Sequence, residues 1–124
     1  MSSRIVLALA GLLIALATVL GAAGAHALKG SLSPERLGTF EVAVRYHFFH
    51  ALGLLGIGIL MRLLASRALA FAAASIVAGV VLFSGSLYAL SFGAPRALGV
   101  VTPFGGVLLI AGWLVFAVRM IRSR

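Results

Sequence analysis

The chain contains no cysteine, which excludes disulfides and thiolate metal ligands. It has two acids in 124 residues, Glu35 and Glu41. No second acid or cysteine therefore completes a ligand set around its three histidines, His26, His47 and His50. Charged residues make up 10% of the chain, against about a quarter in a soluble domain. The net charge is +8, yet there is no basic run. The ten Lys and Arg residues stand singly at the ends of apolar segments. That pattern suits anionic lipid headgroups and topology control, and it argues against a nucleic-acid partner.

What remains is apolar. Hydrophobic residues form 63% of the chain and the mean hydropathy is +1.22. A water-soluble fold of this size cannot hide so much apolar surface, so the solvent of this protein is lipid. One domain over residues 1–124 is expected. Apolar runs of about the 20 residues that a bilayer core requires place spans near 5–26, 45–64, 68–91 and 103–121. The first run, with Arg4 before it and Ala25-His26-Ala27 after it, also has the outline of a secretory signal. Its length favours an uncleaved first span. The expected fold is all-α, a four-transmembrane-helix bundle.

The stretch Ser33–His50 concentrates the polar chemistry. It holds both acids, two histidines, Arg36 and Arg45. Ser33-Pro34 reads as an N-cap followed by a first-turn proline, and Glu35 suits the positive end of the helix dipole. Nothing stops a helix from Pro34 until about Ser66, roughly 45–50 Å, more than a bilayer core. The reading is an interfacial helix near 34–44 leading into the second span, with a bend at Gly38 or Arg45. Thr102-Pro103 reads as the start of the fourth helix by the same logic.

Four spans put both termini on one side, with Arg4, Arg62, Arg67, Arg119, Arg122 and Arg124. The other side holds Lys29, Arg36, Arg45 and Arg96 together with both acids. The excess of basic residues orients the termini to the cytoplasm. Small residues are expected where helices approach closely: Gly11 and Ala15, Gly21 and Ala25, Gly53 and Ile57, Gly85 and Ala89, and Gly105, Leu109 and Gly112. A weak echo of Pro34–Gly38 in Pro95–Gly99 hints at two related hairpins, but chance explains it as well in so apolar a chain.

At about 100° per residue, Glu41 and Arg45 share one helix face with Phe48 and Leu52. Tyr46, His47 and His50 share the opposite face with Ala43, Gly53, Leu54 and Ile57. Glu41 and Arg45 at i,i+4 have the favourable order for an ion pair. A structural role, charge neutralisation at the membrane boundary, outweighs a solute or proton path there. His47 and His50 with His26 could ligate metal or haem, but imidazole-only sites need three or four converging ligands. Histidines bonded to neighbouring helices are the simpler reading. Ser84, Ser86 and Tyr88 in the third span and Thr102 in the fourth can bond across helices. A serine nucleophile would need a base and an oxyanion site, which nothing in the spacing supplies.

Several of these segments resemble one family. They are Gly21–Lys29, Leu32–Leu37, Phe40–His47, His50-Ala51-Leu52, Leu82–Tyr88, Thr102–Gly106 and Gly112-Trp113. Together they are similar to the domain of unknown function 423, the family of transmembrane protein 256-like small membrane proteins. The resemblance covers nearly the whole chain. It implies a four-span protein of the bacterial inner membrane and brings no established activity. It marks His26, Glu41, Arg45, Tyr46, His50, Ser84, Ser86, Tyr88, Thr102 and Pro103 as family-typical. This chain departs at His47, where the family more often has Gln, and at Ala23, where a larger aromatic is common.

From topology and resemblance together, the polar residues His26, Glu41, Arg45, Tyr46, His50, Ser84, Ser86, Tyr88 and Thr102 are expected in one cluster at the outer ends of the helices. The functional expectation is a non-enzymatic membrane component that needs no cofactor. Its cluster would stabilise the bundle or bind lipid, a protein partner or a second copy of the chain. The rivals are a small oligomeric transporter or channel subunit and, more weakly, a histidine-ligated haem or metal protein.

Overall fold

A computed structural model describes residues 1–122. Four helices follow one another: α1 Ser3–Ala25, α2 Pro34–Leu63, α3 Arg67–Ser91 and α4 Val101–Arg122. A short 3-10 turn, Arg96–Val100, leads into α4. All four are long and apolar enough to cross a membrane. Arg124 lies outside the described residues.

Local chemistry sets the helix ends. The hydroxyls of Ser2, Ser33 and Ser66 each accept the backbone N–H three residues on, at Ile5, Arg36 and Leu69 (3.4, 3.2 and 3.3 Å), which satisfies an otherwise orphaned donor. Gly93, at φ +96°, takes the left-handed turn that closes α3. Its N–H bonds the Leu90 carbonyl at 3.2 Å, and the Ala94 N–H bonds that of Ala89 at 3.0 Å. Pro95, just after this turn, cannot continue α3.

The sequence reading and the structure differ in two details. Residues 34–44 are not set apart from the second span: α2 is one uninterrupted helix of 30 residues, with no break at Gly38 or Arg45. Its length of ~45 Å exceeds a ~30 Å hydrocarbon core, so part of this helix extends beyond one that it crosses. In addition, α4 begins at Val101 rather than at Pro103, which sits in the first turn.

Each helix packs chiefly on its neighbour in sequence: α1 on α2, α2 on α3, and α3 on α4. The tightest seam joins α3 and α4. Cβ atoms added at Gly79 and Gly112 would lie 2.7 Å from Leu109 Cγ and 2.8 Å from Ile76 Cγ1, and one at Gly105 would collide with the Phe83 backbone. The Gly105, Leu109 and Gly112 face is thus a seam, as expected. Gly11 and Gly85 have nothing within 4 Å of such a Cβ and belong to no seam. The core joins Val6 and Ala10 of α1 to Leu54 and Ile57 of α2, Leu69, Ala72, Ala73, Ile76 and Val80 of α3, and Leu109 of α4.

The two ends of the bundle are identified by contacts. Arg119 Nε donates to Ser66 Oγ at 3.1 Å, which brings the end of α4 beside the α2–α3 loop. Met1 and Ser3 line a hollow with Met61 and Leu64–Arg67, so the start of the chain is at the same end. At the opposite end, the Arg36 guanidinium lies against Gly93.

Candidate functional site: a hydrogen-bonded seam beside a lipid-facing groove

Helix pairing lines up side chains that are far apart in sequence. In the seam between α2 and α3, Ser84 is buried and its Oγ donates to the Ala43 carbonyl at 2.8 Å. One turn along α3, the Tyr88 hydroxyl meets His47 Nδ1 at 2.8 Å. Phe40 packs on the Tyr88 ring at 5.4 Å between centroids and on Phe92 at 5.9 Å. Between α3 and α4, Ser86 Oγ donates to the Phe83 carbonyl at 2.9 Å and pairs with Thr102 Oγ1 at 2.6 Å. Deeper in that seam, Ser75 Oγ donates to the Leu108 carbonyl at 2.7 Å. Between α2 and α4, Trp113 Nε1–H donates to His50 Nδ1 at 2.9 Å.

The hydroxyls of Ser84 and Ser86 are spent on carbonyl acceptors, and no imidazole bonds to a serine among the described residues. The described residues also hold no group of three His, Cys, Asp or Glu placed to share a metal ion. The serine and histidine side chains here join helices.

The structure brings His50, Ser84, Ser86, Tyr88 and Thr102 into this set of interhelical bonds, and it leaves four expected members out. His26 follows the end of α1 and is exposed. Glu41 and Arg45 are exposed on the face of α2 turned toward α1, beside a hollow with Gly21, Gly24 and Ala25. No ion pair within 4.0 Å forms between them or elsewhere among the described residues. Exposed charges gain little from pairing. Tyr46 contributes its ring alone: it lies 4.9 Å from the Phe83 ring and 6.0 Å from His50, and its hydroxyl makes no bond among the described residues. The assembly is therefore several local bonds between three pairs of helices, α2–α3, α3–α4 and α2–α4, not one cluster.

Trp113 and Ser75 belong to the seams and were not anticipated there; His47, outside the expected cluster, bonds a neighbouring helix as its simpler reading had it. His47 is 2% exposed. The Leu13 backbone of α1 lies close by, but its Nε2 is buried without a hydrogen-bond partner. The available signal was its position on the face of Ala43, Leu54 and Ile57, all of which are buried. For Trp113 the signal was a lone indole far from either helix end, since a buried indole N–H ordinarily finds an acceptor.

Beside the second seam is a groove of about 440 Å³ lined by Tyr46, His50, Phe83, Gly106, Leu109, Ile110, Trp113 and Leu114. Its walls are α2 and α4, and Phe83 of α3 forms its floor. A Cβ on Gly106 would come within 3.8 Å of the Phe83 ring, so a larger side chain there would occupy the groove, while Gly53 gives the Trp113 ring its place, because a Cβ there would overlap the indole. Tyr46, Ile110 and Leu114 are exposed, at 41%, 62% and 61%, so the groove opens sideways to the bilayer. The size and the mostly apolar, aromatic lining with a few polar groups are those of a small-molecule site.

Comparison with known proteins gives a consistent kinship. The family model described as a protein of unknown function (DUF423) matches residues 20–106. A UPF0382 membrane protein of Staphylococcus haemolyticus, SH2409, is 45% identical over 98 residues, 79% of this chain and 80% of the relative. The UPF0382 membrane protein YwdK of Bacillus subtilis is 41% identical over 108 residues, 86% and 88% of the two chains. The UPF0382 inner membrane protein YgdD of Escherichia coli K12 is 36% identical over 124 residues, 100% and 95% of the two chains. No solved structure shows a significant match.

Proposed function

Because the chain belongs to the DUF423 family of small multi-pass membrane proteins, whose description assigns no activity, its role has to be read from the site, and we propose that it is a non-enzymatic binding protein that holds an amphiphile of the bilayer in the groove between α2 and α4. One observation carries this reading: the groove joins an apolar, lipid-facing lining to the free edge of the His50 ring. The interhelical bonds of Ser84, Ser86, His47 and Ser75 act as its rigid frame. Small residues and cross-helix hydroxyls hold helices together where lipid supplies no hydrophobic drive.

The proposed orientation has both termini in the cytoplasm, supported by the excess of arginines at the end that holds Arg4, Arg62, Arg67, Arg119 and Arg122. The groove then opens within the membrane, and its occupant arrives by lateral diffusion. The test is native mass spectrometry of protein extracted in mild detergent, comparing wild type with Gly106→Leu, which fills the rim. Wild type should retain an amphiphile that the variant loses. Equal occupancy in both, with both folded, refutes the reading.

A further inference from the structure

Resting on the groove reading above, we propose that its occupant is a planar, carbonyl-bearing ring on an apolar tail, a molecule of the isoprenoid-quinone class, whose carbonyl oxygen accepts the His50 Nε2–H. The first step is a matter of proton inventory. An indole N–H can only donate. Since Trp113 Nε1 donates to His50 Nδ1 at 2.9 Å, Nδ1 is the lone-pair nitrogen, and the ring's proton is on Nε2. Nε2 has no partner among the described residues, and the ring lines the groove. An N–H donor facing hydrocarbon without an acceptor is unfavourable, so a molecule that brings an acceptor binds preferentially there.

Depth selects the acceptor. Trp113 lies twelve residues after Val101 and nine before Arg122 in α4, ~18 Å and ~14 Å from its ends. With α4 centred on a ~30 Å hydrocarbon core, that level is near its middle. Glycerolipid ester carbonyls and phosphates lie at the interfaces, out of reach of this level. A quinone ring dissolved in the hydrocarbon brings its carbonyl to it. The lining suits a flat ring: Tyr46 and His50 lie at 24° to one another, and His50 and Trp113 at 33° with centroids 6.2 Å apart. Tyr46, one helical turn toward Pro34, offers its hydroxyl as a second donor, for the carbonyl on the opposite edge of a para-quinone.

Trp113 is the only tryptophan, so its fluorescence reports on the groove. The experiment titrates full-length protein in nanodiscs with a two-isoprene ubiquinone, and in parallel with the same ring methylated at both oxygens, which has no carbonyl. Wild type should show saturable quenching, His50→Phe a binding at least tenfold weaker, and His50→Gln, whose amide keeps both an acceptor and a donor, near-wild-type binding. The dimethyl ether should bind at least tenfold weaker than the quinone. Quenching that never saturates, or that is unchanged in His50→Phe, overturns the proposal. A further arm uses phospholipid with brominated chains. Quenching by bromolipid that Gly106→Leu abolishes, without saturable quinone binding, overturns the quinone assignment while leaving an amphiphile groove. Absence of a Gly106→Leu effect with either quencher removes the groove reading itself.

Discussion

Gly105→Ala is the sharpest test of the helix packing. A Cβ on residue 105 would lie 2.8 Å from Phe83 Cα and 2.9 Å from the Leu82 carbonyl carbon, and would overlap the Phe83 nitrogen. All three are backbone atoms, so no rotamer change relieves the clash. Restoring ordinary contact requires α3 and α4 to separate locally by on the order of 0.6 Å or more, an overpacking strain of about 1–3 kcal/mol. The separation also stretches the bonds that cross the same seam, Ser86–Thr102 at 2.6 Å and Ser75 to Leu108 at 2.7 Å, at ~0.6–2 kcal/mol each. Against this, Ala gains up to about 1 kcal/mol in helix propensity over Gly. The net expectation is a destabilisation of ~2–4 kcal/mol, read as a lower midpoint of unfolding by SDS in mixed micelles. Gly85→Ala is the control on the same helix pair: its Cβ meets nothing within 4 Å, so it should match or slightly exceed wild type. A Gly105→Ala protein that unfolds at the wild-type midpoint would falsify the close approach of α3 and α4.

Tyr88→Phe should cost about 1–2 kcal/mol in the same assay, because it leaves both nitrogens of the His47 ring unpaired in an apolar seam; His47→Gln, whose amide can also bond Tyr88, should cost less than His47→Leu. Glu41→Gln and Arg45→Gln should each change stability by less than about 0.5 kcal/mol, since neither residue is buried or ion-paired, and a loss above 1 kcal/mol in either would contradict their placement. The absence of native cysteine allows single-cysteine labelling: with cytoplasmic termini, Ser31→Cys in intact cells should react with a membrane-impermeant maleimide and Ser3→Cys should not, and the reverse pattern would invert the orientation.

The architecture was legible because span length and apolar runs depend on composition alone. Helical arithmetic on α2 also separated the Glu41–Arg45 face from the face of Ala43, Leu54 and Ile57 correctly. Two things were not in the local pattern. The first is depth. The charges near Pro34 suggested a membrane-boundary segment, but α2 continues unbroken to Leu63, and His50 therefore sits about midway along it. The second is register between helices. Nothing in the sequence pairs His50 with Trp113, 63 residues away, or Ser84 with the carbonyl of Ala43; the first alignment goes with the seating of the Trp113 ring against Gly53. His26 was expected with the others because its loop is on the same membrane side. It lies past the last turn of α1, where no helix from the other hairpin is packed against it.

The succession of packing partners also implies an order of assembly. Since α1 rests on α2, α2 on α3 and α3 on α4, each helix after the first finds a packing partner already in the membrane as it leaves the ribosome. The bond between Trp113 and His50 is the exception, reaching back across α3 to a helix made long before. It can close only after the last span has been inserted, and the groove does not exist until then. A nascent chain halted after α3 would already hold the Ser84 and Tyr88 contacts yet offer no cavity, so ligand capture would be reserved for finished molecules.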